Sequence, residues 1–108
     1  MEDKRRFPRI QFGFRVEDPN GKKVWMTEDI SSGGCFLQAL EKMPVGSKID
    51  LVFQLPGSSK YIKAVGEVRH IRDKGMGVEF VTIDPESKKE TERFVEDYVK
   101  YEEKSKGS

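Results

Sequence analysis

Apolar and polar residues alternate in short runs over the first three quarters of the chain, and turn-forming residues separate the runs. In the first run, Ile10, Phe12, Phe14 and Val16 alternate with polar residues or glycine. This period of two predicts a strand with one buried face. Asp18-Pro19-Asn20-Gly21 then supplies a strong turn signal, because Pro suits an early turn position and Asn-Gly tolerates a positive φ.

The later runs predict further strands over residues 24–30, 35–37, 49–55, 61–71 and 76–81. Gly66 lies inside the long run and predicts a bulge or bend there. Strands this short, with a turn signal every eight to twelve residues, favour a mainly β fold of six strands. A small antiparallel barrel and a sandwich both satisfy the pattern.

The pattern changes to a helical period at Asp84-Pro85, where Asp caps the helix and Pro occupies its first position. The predicted helix covers residues 84–103, and residues 104–108 are predicted to be a disordered tail. Apolar residues recur at helical spacing and form one stripe: Phe94, Val95, Tyr98, Val99 and Tyr101. We expect this stripe to pack on the strands, in preference to forming a dimer interface.

Composition excludes several classes of function. The net charge of +1 in 108 residues argues against broad binding of DNA or RNA, which requires a basic face. One cysteine and one histidine leave no disulfide and no framework for a metal ion. Cys35 is predicted to be a small core residue, and no catalytic constellation accompanies it. No apolar run reaches the length of a membrane span, so we expect a cytoplasmic protein that does not insert into membranes.

Three arginines lie close together near the amino terminus: Arg5, Arg6 and Arg9. The planar guanidinium group matches phosphate oxygens and the edge of guanine, so the cluster predicts an anionic, planar ligand. Residues 1–9 are mostly charged and are predicted to form a flexible arm.

A second group of polar residues lies at a break between two predicted strands. Asp29 and Ser31 are two positions apart, so an extended backbone directs both side chains to one face. Gly33 and Gly34 follow, and they allow close approach of a ligand to backbone N–H groups. A carboxylate accepts from guanine, and a hydroxyl with free N–H groups holds a phosphate. Taken alone, the segment is better explained as an ordinary Asx-turn.

Together, the two groups resemble the signature of the PilZ domain family. The matching motifs are Arg-Arg-x-x-Arg at residues 5–9 and Asp-x-Ser-x-x-Gly at residues 29–34. Gly77-Val78-Glu79-Phe80 is similar to a third segment of that family. The resemblance implies a six-stranded antiparallel β-barrel over residues 10–83 followed by a carboxy-terminal α-helix. It also implies a receptor for the bacterial second messenger cyclic di-GMP.

The resemblance assigns ligand contacts to nine residues: Arg5, Arg6, Arg9, Asp29, Ser31, Gly33, Gly34, Gly77 and Glu79. The arginines would hold phosphate oxygens and the guanine O6/N7 edge. Asp29 would accept from guanine, and Ser31 would lie near phosphate. For Glu79 there is a second interpretation, in which it pairs with an arginine and orients it.

The implied function is that of an adaptor without a cofactor, which orders its arm on binding cyclic di-GMP and signals to an unidentified effector protein. Regulation of motility or biofilm formation would be typical of such a protein. The alternative is a barrel that binds only protein partners. Binding of single-stranded nucleic acid is disfavoured because no row of exposed aromatic and basic residues is present, and an enzyme is disfavoured further. Arg69 and Arg72 either extend the basic ligand surface or lie on a solvated strand edge.

Overall fold

The structure, a computed structural model, describes residues 8–107 and the side chains of residues 8–103. Its elements are β1 (Arg15–Glu17), β2 (Val24–Ser31), β3 (Gly34–Gln38), β4 (Lys48–Phe53), β5 (Ile62–Arg72), β6 (Gly75–Ile83) and α1 (Pro85–Gly107). All neighbouring strands are antiparallel, and they close into a barrel in the order β1-β2-β3-β6-β5-β4. The predicted fold class, a six-stranded antiparallel barrel followed by one helix, is therefore confirmed.

The first predicted strand is shorter than its alternating pattern indicates. Only its end forms β1, whereas Ile10 makes an isolated bridge with Ile30 of β2. Between them the hydroxyl of Thr27 accepts from the backbone N–H of Phe14 and donates to the carbonyl of Phe12. A side chain thus replaces part of the backbone ladder, and β2 carries a register shift just after Thr27. Ile10, Phe14 and Val16 are still buried, as the alternation predicts, although most of this segment does not form a regular strand.

Strand β5 contains two irregularities in its pairing with β6. The register shifts between Val65 and Gly66, which confirms the predicted bulge at Gly66. A second shift, which the sequence analysis did not predict, lies between Val68 and His70 and leaves Arg69 as the extra residue. This second bulge determines which side chains of β5 face the site described below.

The core fills the inside of the barrel, and α1 packs against it. The most deeply buried apolar side chains are Val16, Ile30, Leu37, Leu51, Ile62, Val68, Met76 and Val95. Val95 is the contribution of α1 to this set. Phe94 and Tyr98 lie edge-on to Phe12, with ring centroids 5.5 and 5.4 Å apart. The predicted stripe of α1 therefore packs on the barrel from Phe94 to Val99.

Helix α1 begins where the sequence predicts but ends later. At its start, a carboxylate oxygen of Asp84 accepts from the backbone N–H of Ser87 at 3.1 Å, which is the predicted cap. The helix continues to Gly107, four residues beyond the predicted end at residue 103, because good helix formers and no breaker precede that glycine. Tyr101 is 68% exposed and does not join the packed stripe.

The predicted role of residues 1–9 as a flexible arm concerns residues that lie almost wholly outside those described.

No helix within residues 8–107 combines the length and the apolar character required to cross a membrane.

Candidate functional site

A pocket of about 570 Å³ lies on the outside of the barrel, beside the turn that joins β2 to β3. This volume is within the range of small-molecule sites. Seven of the predicted site residues line it: Arg9, Asp29, Ser31, Gly33, Gly34, Gly77 and Glu79. The other two, Arg5 and Arg6, lie outside the described residues. The structure thus brings together every predicted site residue that it describes, while their contacts with a ligand stay a prediction.

The two sequence motifs meet in an ion pair between Arg9 and Asp29. The guanidinium of Arg9 donates from Nη1 to Oδ1 of Asp29, across a separation of twenty residues. The bridge between Ile10 and Ile30 places them side by side, because each is the chain neighbour of one member of the pair. The Arg9 side chain is half exposed and the Asp29 side chain about a quarter exposed. Both groups therefore remain accessible to a molecule that enters the pocket.

Ser31 is buried within the turn. Its side chain is only 1% exposed, and its hydroxyl accepts from the N–H of Gly33 at 3.1 Å and donates to the carbonyl of Gly34 at 3.3 Å. The carbonyl of Gly33 in turn accepts from the N–H of Phe80 at 2.8 Å. Ser31 therefore holds the shape of the turn, and its predicted contact with phosphate would require the hydroxyl to exchange these bonds.

Gly34 on β3 lies against the backbone of β6, which leaves no space for a side chain. A Cβ built on Gly34 would overlap the carbonyl oxygen of Val78 and would lie 3.1 Å from the Cα of Glu79. The absence of a side chain is thus required by the close approach of β3 and β6. Approach of a ligand, which the sequence analysis proposed as the reason for this glycine, is not needed to explain it.

Glu79 pairs with Arg69, in keeping with the second interpretation of this glutamate. Nη2 of Arg69 lies 2.6 Å from Oε1 of Glu79, and Nη1 lies 3.7 Å from Oε2 of Glu67. Glu67 and Glu79 are directly opposite each other in the β5–β6 register, where two like charges repel. Arg69 pairs with both, which reduces this repulsion, and the two contacts hold its side chain beside the pocket.

An aromatic and basic cluster forms the other side of the pocket. Phe36 alternates with the core residues Cys35 and Leu37 and so faces outward, yet it is only 5% exposed. Two side chains of β5 contact it: the His70 ring, stacked at a centroid distance of 6.2 Å, and the Arg72 guanidinium, 5.8 Å from the ring centroid. We call Phe36, His70 and Arg72 the outer cluster.

The second bulge of β5 explains why these basic residues reach the pocket. In regular alternation after the buried Val68, the side chain of His70 would point into the barrel. The shift pairs His70 with Gly77 and Arg72 with Gly75, on the outer face. Arg69, His70 and Arg72 consequently all line the pocket. The sequence contained the basic residues but no signal for the bulge, so Phe36 and His70 were not predicted as site residues.

The charges of the pocket favour an anion. Its lining contains the basic residues Arg9, Arg69, Arg72 and Lys88 and the acidic residues Asp29 and Glu79, which gives a net charge of +2. Backbone groups of the β2–β3 turn add dipoles at the same place. Such a site suits a ligand with both phosphate groups and a hydrogen-bond donor for a carboxylate.

Cys35 also borders the pocket, but it is buried in the core of the barrel. Burial raises the pKa of its thiol to about 12, and the nearby charge of Asp29 adds to the rise. The thiolate, which is the reactive form, is therefore suppressed at neutral pH. Among the described residues there is also no group of three or more His, Cys, Asp or Glu arranged to hold a metal ion.

Comparison with solved structures identifies a similar fold in the Bacillus subtilis inhibitor of motility, MotI/DgrA, with a TM-score of 0.80. The two sequences are 18% identical, and the likeness covers 90% of this chain and 52% of that one. This chain thus spans about half the length of that protein, and the similarity concerns the fold. No curated protein matches the sequence.

The family comparison agrees with the motifs. The model of the PilZ domain matches residues 3–97, which include the arginine cluster, the β2–β3 turn and the Gly-x-Glu-Phe segment of β6. The chain therefore belongs to the PilZ domain family.

Proposed function

We propose that this protein is a receptor for cyclic di-GMP that acts as an adaptor and performs no catalysis. The observation that carries the proposal is the ion pair between Arg9 and Asp29, which joins the two predicted binding motifs in one pocket of net positive charge. Membership of the PilZ domain family supports the same ligand. The ligand has two phosphates for the arginines, and its guanines carry N–H donors for the carboxylate.

The ion pair also suggests the binding step. Arg9 and Asp29 pair with each other in the structure. A phosphate would compete for the guanidinium, and guanine would donate its N1–H and amine to the carboxylate. Because the ligand supplies a partner for each group, neither is left unpaired. Arg5 and Arg6 would close over the nucleotide with the rest of the arm, which presents a changed surface to an effector protein.

The effector and the output belong to the proposal as well. The similar structure is named an inhibitor of motility, and we propose a comparable regulatory role, in motility or biofilm formation, for this chain. The site of action would be the cytoplasm, where cyclic di-GMP is made and degraded.

Calorimetric titration of cyclic di-GMP into the wild-type protein and three arginine variants tests the nucleotide site. We expect Arg5→Ala and Arg9→Ala to weaken binding by roughly 10- to 100-fold, since each removes charge-assisted hydrogen bonds worth about 1.5–3 kcal/mol. Arg15→Ala is the matched control, because Arg15 is also exposed and paired with an acid, Glu17 at 3.0 Å, but lies outside the pocket. Equal affinity in all four proteins would refute the site. Absence of heat from the wild type at tens of micromolar would favour the alternative, a module that binds only protein.

Hydrogen–deuterium exchange tests the closing of the arm separately. Saturation with cyclic di-GMP should slow exchange over residues 1–10. Ordering the arm costs roughly 1–2 kcal/mol per residue, which several charge-assisted bonds offset. Unchanged exchange over these residues, at a concentration where calorimetry shows binding, would contradict the ordering and leave the pocket itself intact.

A further inference from the structure

The ring of His70 lies directly over Gly77 on the outer face of the barrel. A Cβ built on Gly77 would overlap this ring, and all three of its nearest atoms belong to it, with Nδ1 at 2.7 Å. No backbone atom is among those three. The space that a side chain at position 77 would occupy is therefore filled by the imidazole of His70.

Three features hold the ring in this position. The bulge at Arg69 turns His70 to the outer face and pairs it with Gly77. The stacked ring of Phe36 lies beside it, with an interplanar angle of 25°. Arg72 lies over Phe36, 5.8 Å from its ring centroid, and so helps to fix the ring against which His70 stacks. A side chain with so many constraints has lost most of its rotamer freedom before any ligand arrives, so a contact made by it costs little ordering entropy.

The ring is nevertheless open to the pocket. His70 is exposed and lines the pocket together with Arg9 and Asp29. One side of the imidazole lies against the β6 backbone at Gly77, which leaves the accessible side for a partner. A planar aromatic surface beside a carboxylate and several guanidinium groups suits the face of a purine base, since every base presents a π surface to an aromatic ring.

We propose that His70 is the stacking platform for a guanine base of the nucleotide, and that Gly77 is a positioning residue that acts through His70. The inference rests on the proposed function and deepens it. It assigns a ligand contact to a residue that no motif includes, and it gives Gly77 an indirect role in place of the direct contact predicted from the sequence.

Calorimetry with cyclic di-GMP on two variants of His70 tests the platform. His70→Ala removes the ring and should weaken binding by about 5- to 150-fold, the range that base–aromatic stacking gives. His70→Phe keeps a flat ring over Gly77 and should bind within about three-fold of the wild type. Retention of wild-type affinity in His70→Ala would overturn the proposal, and so would a His70→Phe variant as weak as His70→Ala.

A double-mutant cycle with Gly77→Ala tests the positioning role. In the wild-type background the added methyl group displaces the ring, so we expect a loss of affinity comparable to that of His70→Ala. In the His70→Ala background the methyl group meets an empty space and should change affinity less than two-fold. Equal effects of Gly77→Ala in the two backgrounds, large or negligible, would overturn the positioning role.

Proton NMR gives a readout that does not depend on affinity. His70 is the single histidine of the 108 residues, so its ring protons are assigned by inspection against the His70→Phe spectrum. Saturating nucleotide should shift them upfield through the ring current of the stacked base, and unshifted signals would overturn the proposal. Failure of the wild type to bind cyclic di-GMP would remove the proposed function and this inference together. Binding by the wild type with no effect of His70→Ala would remove only the inference.

Discussion

Gly34 on β3 lies so close to Val78 on β6 that a Cβ on Gly34 would overlap the carbonyl oxygen of Val78. The two strands pair directly at this point, with Gly34 opposite Glu79. The last glycine of the Asp-x-Ser-x-x-Gly motif is therefore first a requirement of the barrel. A motif that is read as a binding signature also contains a residue that the fold itself needs.

We expect Gly34→Ala to lower the free energy of unfolding by about 1–3 kcal/mol or more, because a backbone carbonyl cannot move aside without breaking the β3–β6 ladder. Urea denaturation followed by Trp25 fluorescence measures the change. Gly77→Ala is the matched control, since its methyl group would overlap only the exposed ring of His70 and no backbone atom. An equal loss in both variants would contradict the distinction between backbone and side-chain overlap.

The packing of α1 gives a second prediction. Val95 is 1% exposed against the barrel, whereas Tyr101 on the same helix is 68% exposed. Val95→Ala should lower the free energy of unfolding by about 2 kcal/mol, from lost burial and the cavity that remains. Tyr101→Ala should change it by less than about 0.5 kcal/mol. A large loss for Tyr101→Ala in a monomeric sample would show that the end of the helix packs on a surface other than the one described.

The pair of Arg69 and Glu79 gives a third prediction, which separates stability from binding. Both side chains are half exposed, so Glu79→Gln should change the free energy of unfolding by less than about 1 kcal/mol. The affinity for cyclic di-GMP should fall several-fold, because Arg69 would no longer be held over the pocket. Glu96→Gln, on an exposed position of α1 outside the pocket, is the control. Unchanged affinity in Glu79→Gln would show that the orientation of Arg69 does not contribute to binding.

The elements of the fold could be predicted from the sequence because each depends on a local signal. Alternation in β4 and β6, the turn residues between strands, and the Asp84-Pro85 helix start are all readable within a few residues. The first strand is the exception. Its alternation correctly indicated burial, but the N–H of Phe14 donates to the hydroxyl of Thr27, thirteen residues away, in place of a backbone carbonyl. No window around either residue contains that information.

The pocket likewise has one side that the sequence predicts and one side that it does not. The β2–β3 turn and Arg9 belong to motifs, and their side of the pocket was predictable. The outer cluster depends on a bulge at Arg69, whose register shift arises from the pairing of two whole strands. Without that shift, His70 would point inward and the histidine would have no place in a site. Irregular pairing, more than residue type, limited the prediction.

The helix cap at Asp84 gives a fourth prediction, which concerns the stability of the protein at low pH. Hydrogen bonds from Ser87 lower the pKa of the Asp84 carboxyl below its ordinary value of 3.8. A lowered pKa means that the charged cap stabilises the folded state above that value and that its contribution is lost as the pH falls through the folded-state pKa. The wild type should therefore lose stability between pH 4 and pH 2 relative to Asp84→Asn, which caps the helix without a titrating group. Parallel thermal unfolding curves for the two proteins over this range would contradict the role of the charge.

The buried thiol of Cys35 gives the last prediction, which concerns the stability of the protein at high pH. Burial raises the thiol pKa from 9.0 to about 12, so between these values the folded chain keeps a proton that the unfolded chain has lost. Stability linked to this group is complete below pH 9 and declines as the pH rises toward 12, by up to about 1.4 kcal/mol per pH unit. Urea denaturation of the wild type and Cys35→Ala at pH 8 and pH 10.5 isolates the effect, because lysines and tyrosines titrate equally in both. The stability difference between the two proteins should shift in favour of Cys35→Ala at the higher pH. A difference that is the same at both values would mean that the thiol ionises in the folded state as readily as in the unfolded chain, which its 2% exposure opposes.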